Sequence, residues 1–363
     1  MNKKNLFTVI MDTYYRPELL KDAVNAVFRQ THENIELILV NNGATSETVD
    51  YLLELSELDR RVKLVHFKEN QYSVDDPLKM LDVCLNAGLR VATGEYIWYQ
   101  SDDDFMTDDY VEKMVRLFVD NPECTTAAGI PVPVDACGNT INTGPRRNNI
   151  RPRYMLGHDM ALDSLRGGKM FGAPGTIFTI RREVLIESGG FHRNLEQSHL
   201  YGIVPFGITG FDETAVFHWR RHEGQLNKQL ALSGKIWINE LHDWLDSWDI
   251  NRKWQIFGVD IANEVTNGLI QRQVDNTATL FSFYLLRGQL SVCYRMVRNM
   301  TNSRNKLDLL LVLPQKLWPL LIRHFGLWIR NFLKNVIVAV FRLLPSDLTL
   351  PAKLNKIRTR LTR

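Results

Sequence analysis

Four short apolar runs in the first hundred residues, LFTVIM, IELILVN, RVKLVHF and GEYIWYQ, are separated by stretches of helical character. The runs are largely apolar rather than strictly alternating, which predicts strands buried on both faces. Strands of that kind, with helices between them, build a largely parallel sheet. The helices are expected after Pro17, from Ser46 and from Pro77, where capping residues or a proline begin each one. This α/β alternation is a nucleotide-binding type of architecture. No G-x-G-x-x-G follows the first strand and no G-x-x-x-x-G-K-[ST] occurs anywhere, which removes the main support for dinucleotide and P-loop readings.

The fourth run ends in YQSDDDF, which sets Asp102, Asp103 and Asp104 side by side at the C-terminal end of a strand. Aspartates often just mark a turn. Here the next residues, TDDYVEKMVRLF, predict an amphipathic helix with Tyr110, Met114, Leu117 and Phe118 on one face. In open α/β sheets the strand end before such a helix is where ligands bind. Neighbouring carboxylates repel by roughly 1 to 4 kcal/mol per pair, and a divalent cation holds them together. Oxygen ligands favour Mg²⁺ or Mn²⁺, and a half-coordinated ion leaves positions for phosphate oxygens. A diphosphate substrate is the expectation.

Beyond this half the text changes. Between Asn121 and Gly190 six prolines and several glycines predict short strands and long loops. No proline then occurs between Pro205 and Pro314, and helical periodicity predicts a helical subdomain over 226–310. Trp237, Trp244 and Trp248 fall on one face of it, the pattern of packing. The 363 residues are 45% hydrophobic, enough for a full core and a second, smaller unit.

Charge is unevenly divided. From Val292 to the end there are fourteen Lys and Arg against two acids, Asp308 and Asp347, while the whole chain carries only +3. Within 311–363, Lys316, Arg323, Arg330 and Lys334 form a narrow stripe among Leu, Ile, Val, Phe and Trp. A basic amphipathic helix lying in the membrane interface fits this tail, with a helix packed on the protein or on a second copy as the other reading. Aromatic residues are not interleaved with the terminal basic run, so nucleic acid is not the expected partner. The four cysteines are irregularly spaced without a C-x-x-C pair, which suits a reducing compartment, and Asp12 ends the first apolar run too early for a secretory signal.

Taken in order, VIMDTYYRPELLKDAVNAVFRQTHENIELILVNNGATSE, CLNAGLRVATGEYIWYQSDDDF, FGAPGTIFTIRREVLIESGGF and RRHEGQLN resemble the family 2 glycosyltransferases of the GT-A fold over about 220 residues. The resemblance implies a GT-A catalytic domain over 1–225 and a nucleotide-diphosphate sugar donor, usually a UDP sugar. It also implies a divalent cation and inverting transfer to a hydroxyl, by an enzyme of the hexosyl- or N-acetylhexosaminyl-transferase class. Carried across by position, Thr13 and Tyr14 border the base, Asn42 faces it, Asp102 lies near ribose and metal, and Asp103 binds the metal. The RRH segment places Arg220 and Arg221 on the diphosphate and His222 at the metal.

The chain departs from the pattern at three places. Asn42 replaces the second Asp of V-D-D-G-S, Asp12 replaces a proline, and the Glu-Asp pair expected after G-G-F is missing. Spacing makes Glu196 the leading general base and His199 the second. A membrane-surface enzyme of this kind implies a lipid-linked or cell-surface glycan acceptor and a place on the cytoplasmic face of the cell membrane, with a homo-oligomer possible. A non-catalytic sugar-nucleotide-binding partner in a glycan-assembly complex is the alternative that the missing pair motivates.

Overall fold

The computed structural model describes residues 4–73, 79–141, 152–166, 177–192, 195–222, 225, 245–246, 248–299 and 312. The four apolar runs are β1 (Phe7–Thr13), β2 (Ile35–Asn42), β3 (Val62–Phe67) and β4 (Tyr96–Tyr99). They lie side by side in the order β3-β2-β1-β4, all parallel, with Phe7 opposite Ile35 on one side and Tyr96 on the other. All eight residues of β2 are buried, as a strand covered on both faces requires. The connecting helices are α1 (Pro17–Phe28), α2 (Ser46–Leu58) and α3 (Lys79–Val91).

The carboxylate segment leads through β5 (Phe105–Met106) into α4 (Tyr110–Asp120), and Tyr110, Met114, Leu117 and Phe118 are buried on its inner face as their spacing predicts. No side chain caps α4 at its start; Asp109 pairs instead with Lys113 at 2.6 Å. The indole of Trp98 lies 4.9 Å from the Tyr110 ring and 6.1 Å from Phe217, so β4, α4 and a distant strand meet directly behind the aspartates. A rim built on such packing holds its geometry.

The second half completes one sheet of nine strands with β6 (Cys124–Val134), β7 (Tyr154–Leu156), β8 (Phe178–Arg181) and β9 (Ile208–Arg220). β8 joins antiparallel between β4 and β6, and β6 runs parallel to the long β9. Pro131 and Pro133 sit in β6 beyond Ala128, the last residue that pairs with β8, so their missing N–H groups interrupt no ladder on that side. The expectation of strands and loops between Asn121 and Gly190 omits two helices, α5 (Gly157–Leu165) and α6 (Arg182–Glu187), and α7 (Leu195–Gly202) follows just beyond. In α5, Met160, Ala161, Leu162 and Ser164 are buried, so tertiary packing holds a helix that its proline-rich surroundings disguise.

Packing also runs past Gln225, the expected edge of the catalytic domain. Trp248, Ile250, Trp254, Ala262, Val265 and Leu269 belong to the same core as β1 and β4, and the Trp254 indole N–H donates to the Tyr201 carbonyl at 2.9 Å. Arg166 grips Glu264 with two contacts of 2.7 and 2.8 Å. Residues 245–270 therefore pack as part of the first unit, not of a separate helical one. A second cluster, Val274, Ala278, Tyr284, Val292, Cys293 and Met296, joins the end of the helix Val259–Leu286 to the helix Leu290–Asn299. Trp237, Trp244 and all of the tail over 311–363 except Val312 lie outside the described residues.

At the N-terminal ends of the parallel strands Glu36 is fully buried and accepts five hydrogen bonds. They come from Thr8 Oγ1 (2.6 Å), Lys63 Nζ (2.6 Å), the Thr93 hydroxyl (2.8 Å) and the backbone N–H groups of Thr93 (2.5 Å) and Gly94 (2.9 Å). Burial opposes its ionisation, but the contacts from Lys63, Thr8 and Thr93 outweigh that and hold the carboxyl below its ordinary range. Glu36→Ala strands several buried donors and is expected to cost about 3 kcal/mol in urea unfolding at neutral pH. Because the folded carboxyl is the stronger acid, this contribution is complete above the ordinary glutamate range. The gap between wild type and variant should shrink as pH falls through the lowered folded value.

Candidate active site

Chemistry-bearing residues collect at the opposite, C-terminal ends of the same strands. Residues 101–104 form a tight turn after β4, closed by the Asp104 N–H on the Ser101 carbonyl at 3.2 Å. Two further contacts fix it: the Arg220 N–H donates to Asp104 Oδ1 at 2.9 Å, and Gln100 Nε2 donates to the Asp104 carbonyl at 3.0 Å. All three aspartates are buried, with Asp103 still 7% exposed.

Thr13, the last residue of β1, donates its hydroxyl to Asp102 Oδ2 at 2.9 Å. Three residues later Arg16 reaches back over the turn. One guanidinium nitrogen lies 2.5 Å from Asp102 Oδ1 and the other 2.5 Å from Asp103 Oδ2. His222 Nε2, just past β9, stands 2.9 Å from the same Asp103 oxygen and 3.2 Å from Arg16. A neutral ring can donate to Asp103 or accept from Arg16 through that nitrogen, but not both.

The electrostatics are uneven. Burial, with Asp103 and Asp12 nearby, pushes the Asp102 carboxyl above the usual range in spite of Arg16. Asp104 is pushed up further, by burial first and then by Asp103. Burial acts on Asp103 as well, but His222 and Arg16 overcome it and keep that carboxyl low. Asp12, where the family pattern has proline, is also raised, chiefly by burial against a Tyr99 hydrogen bond. Three of these four carboxyls stay raised in spite of Arg16, so the turn favours additional positive charge.

The donor types at the turn suit a divalent cation: Asp102 and Asp103 both face Arg16 and His222 reaches Asp103, a carboxylate and imidazole set of the kind that binds Mn²⁺ and, less well, Mg²⁺. Among the described residues no three His, Cys, Asp or Glu side chains stand in an arrangement that would by itself hold a metal ion. An ion held here would take its other ligands from water or from a ligand.

Asn42 is buried at the end of β2, and its Oδ1 accepts from the Gln71 N–H at 2.8 Å. Next to it Gly43 has φ +62°, and a Cβ there would lie 2.4 Å from the Asn70 nitrogen, so only glycine fits this turn. Tyr14 is 40% exposed, edge-on to Tyr15 at 5.3 Å, an aromatic surface open to solvent.

Other expected residues fall elsewhere. Arg220 is buried, and its guanidinium donates to the carbonyls of Asp103 (2.8 Å) and Ala136 (2.7 Å) and to Asp22 Oδ2 (3.2 Å). Those acceptors make it a brace beneath the turn. Arg221 lies over the Trp219 ring at 4.4 Å. His199 is 1% exposed on α7 and packs near Phe191 at 5.8 Å, so in this conformation no acceptor can touch it. Glu196 shares α7, and its side chain lies outside the described residues.

Arg16 is not among the residues that motif and spacing single out, although it is the arginine of the DTYYR segment. Its position just beyond a strand whose end faces the aspartates is the signal that could find it.

Comparison with known proteins gives the arrangement a setting. The model of Glycosyl transferase family 2 matches residues 8–189. A glycosyltransferase of Haemophilus influenzae is 30% identical over 120 residues, 33% of this chain and 35% of that protein. TuaG of Bacillus subtilis, named for teichuronic acid biosynthesis, is 29% identical over 119 residues, 33% of this chain and 44% of its own. The chain thus matches less than half the length of these relatives. In three dimensions it is similar to S. aureus TarS 1-349 in complex with UDP-GlcNAc, with a TM-score of 0.58 and 12% identity over 81% of this chain and 79% of that one.

Proposed function

Because the chain belongs to glycosyl transferase family 2, we propose that it is a metal-dependent inverting transferase that moves a sugar from a nucleotide-diphosphate donor, with UDP sugars the first choice, to a hydroxyl of a lipid-linked or cell-surface glycan. The observation that carries this reading is the buried aspartate turn at the C-terminal rim of the parallel strands, faced by Thr13, Arg16 and His222. Asp102, Asp103 and His222 would hold a divalent cation, Mn²⁺ or Mg²⁺, which supplies charge to stabilise the departing diphosphate.

The remaining tasks fall to the chain's own side chains. Thr13 orients Asp102, and Arg220 braces the turn so that the carboxylates keep their aim. Tyr14 and Asn42 border the nucleobase. Glu196 takes the acceptor's proton as the acceptor oxygen bonds to the sugar's anomeric carbon and the bond to the diphosphate oxygen breaks. His199 would need to leave its core position to take that role. Incubating the purified protein with a panel of sugar nucleotides and Mn²⁺, and measuring released nucleoside diphosphate, tests the proposal. Metal-dependent release of UDP supports it. Tight donor binding without any release would favour the non-catalytic partner in a glycan-assembly complex.

The charge of the basic tail supports a position on the cytoplasmic face of the cell membrane. Among the described residues no helix is long and apolar enough to cross a membrane. Binding of the full chain to anionic vesicles should weaken at high salt without vanishing, since only the charge contribution is screened. Truncation after Leu310 should abolish flotation with vesicles and leave UDP binding unchanged. Equal flotation of the truncated chain would transfer the tail to packing on the protein or a second copy.

A further inference from the structure

Arg16 occupies the point to which the aspartates and His222 converge. Both of its terminal nitrogens face carboxylate oxygens, one on Asp102 and one on Asp103, and one of them also approaches His222. Arg16 precedes α1 as its N-cap residue, and its only capping contact is through the backbone, whose carbonyl accepts from the Leu20 N–H at 3.0 Å. Its side chain remains 25% exposed, so it has a route to solvent that the deeply buried Arg220 lacks. Two arginines thus serve the turn in different ways: Arg220 grips it from beneath through backbone acceptors, while Arg16 neutralises its carboxylates from the open side.

The geometry points to Arg16 as an internal cation that competes with the divalent ion for Asp102 and Asp103, and that passes to the donor's diphosphate when the ion enters. This rests on the metal-dependent reading above and adds an order of events to it. A guanidinium at 2.5 Å from each carboxylate and a metal ion bound to the same oxygens exclude one another. The displaced guanidinium starts beside the site and is suited to bidentate phosphate contact. Metal alone must therefore break the ion pair. Metal arriving with a nucleoside diphosphate offers Arg16 a new partner, so the two ligands assist each other, and to the same extent in either order of binding.

The test is Mn²⁺ affinity of the full chain without nucleotide, from free Mn²⁺ by electron paramagnetic resonance and from the shift in melting temperature, for wild type, Arg16→Lys and Arg16→Gln. Arg16→Gln should bind Mn²⁺ at least about tenfold more tightly than wild type, because the competitor and its positive charge are both gone. Its melting temperature should rise more on adding Mn²⁺. Arg16→Lys should fall between the two, since an ammonium cannot fork across both carboxylates. UDP should enhance Mn²⁺ affinity less in Arg16→Gln than in wild type. Equal or weaker Mn²⁺ binding by a folded Arg16→Gln protein, with wild type binding Mn²⁺ in the presence of UDP, overturns the role of Arg16 and leaves the metal reading standing. Absence of Mn²⁺ binding by wild type with and without UDP overturns both.

Discussion

Asp103→Ala should abolish Mn²⁺-dependent UDP binding and lower sugar transfer by about 10³-fold or more, while the protein should still unfold in a single transition. The loss is large because this carboxylate is the point shared by Arg16 and His222, 2.5 and 2.9 Å away, and no neighbour can replace it. Asp102 is tied to Thr13, and Asp104 is turned toward the Arg220 backbone. The fold survives because the contacts that shape the turn use backbone atoms that alanine keeps. The Asp103 carbonyl still accepts from Arg220, and the Asp104 N–H still reaches Ser101. Calorimetric titration of UDP with and without Mn²⁺ checks the result. Unchanged metal-dependent affinity in the folded variant would remove Asp103 from the metal site.

Glu196→Gln separates binding from chemistry. The amide keeps the size of the side chain but cannot take a proton, so transfer should fall by roughly 10² to 10⁴-fold. Donor and metal should bind as before, because the base acts on the acceptor. Single-turnover transfer measured beside UDP affinity distinguishes this from damage to the donor site, which would weaken both. A near-normal rate would pass the role to another group, and for His199 that would require opening its contact with Phe191.

The parallel half of the sheet and its helices are legible in the sequence because burial on both faces writes itself into mostly apolar runs, as in β2, whereas β3 at the sheet edge is only partly buried and carries Lys63 and His66. The rim is legible for the same reason: the residues that end β1, β2 and β4 must lie along one edge, so strand order alone groups Thr13, Asn42 and Asp102. Which charges pair across that edge is not. Arg16 and Asp103 are 87 positions apart, and nothing local to either shows the contact. Arg220 and His199 show that a residue type associated with chemistry can lie buried among packing contacts. Burial decides between those roles, and burial at the end of β9 or inside α7 depends on strands far away in sequence. Packing beyond Gln225 is hidden on similar grounds, since Trp254 docks on Tyr201 through a hydrogen bond that periodicity does not encode.

The Glu36 tie has a practical consequence for anyone altering the specificity of this protein. It joins Thr8, Lys63, Thr93 and Gly94 at the far ends of the strands whose other ends carry Thr13, Asn42 and the aspartates. A randomised library confined to Tyr14, Tyr15 and Asn42 leaves that clamp intact, and losses among its clones should come mainly from recognition. A library of equal size at Thr8, Glu36, Lys63 and Thr93 should instead yield mostly insoluble clones. The ratio of soluble to active variants in two such screens would map tolerance along the strand axis.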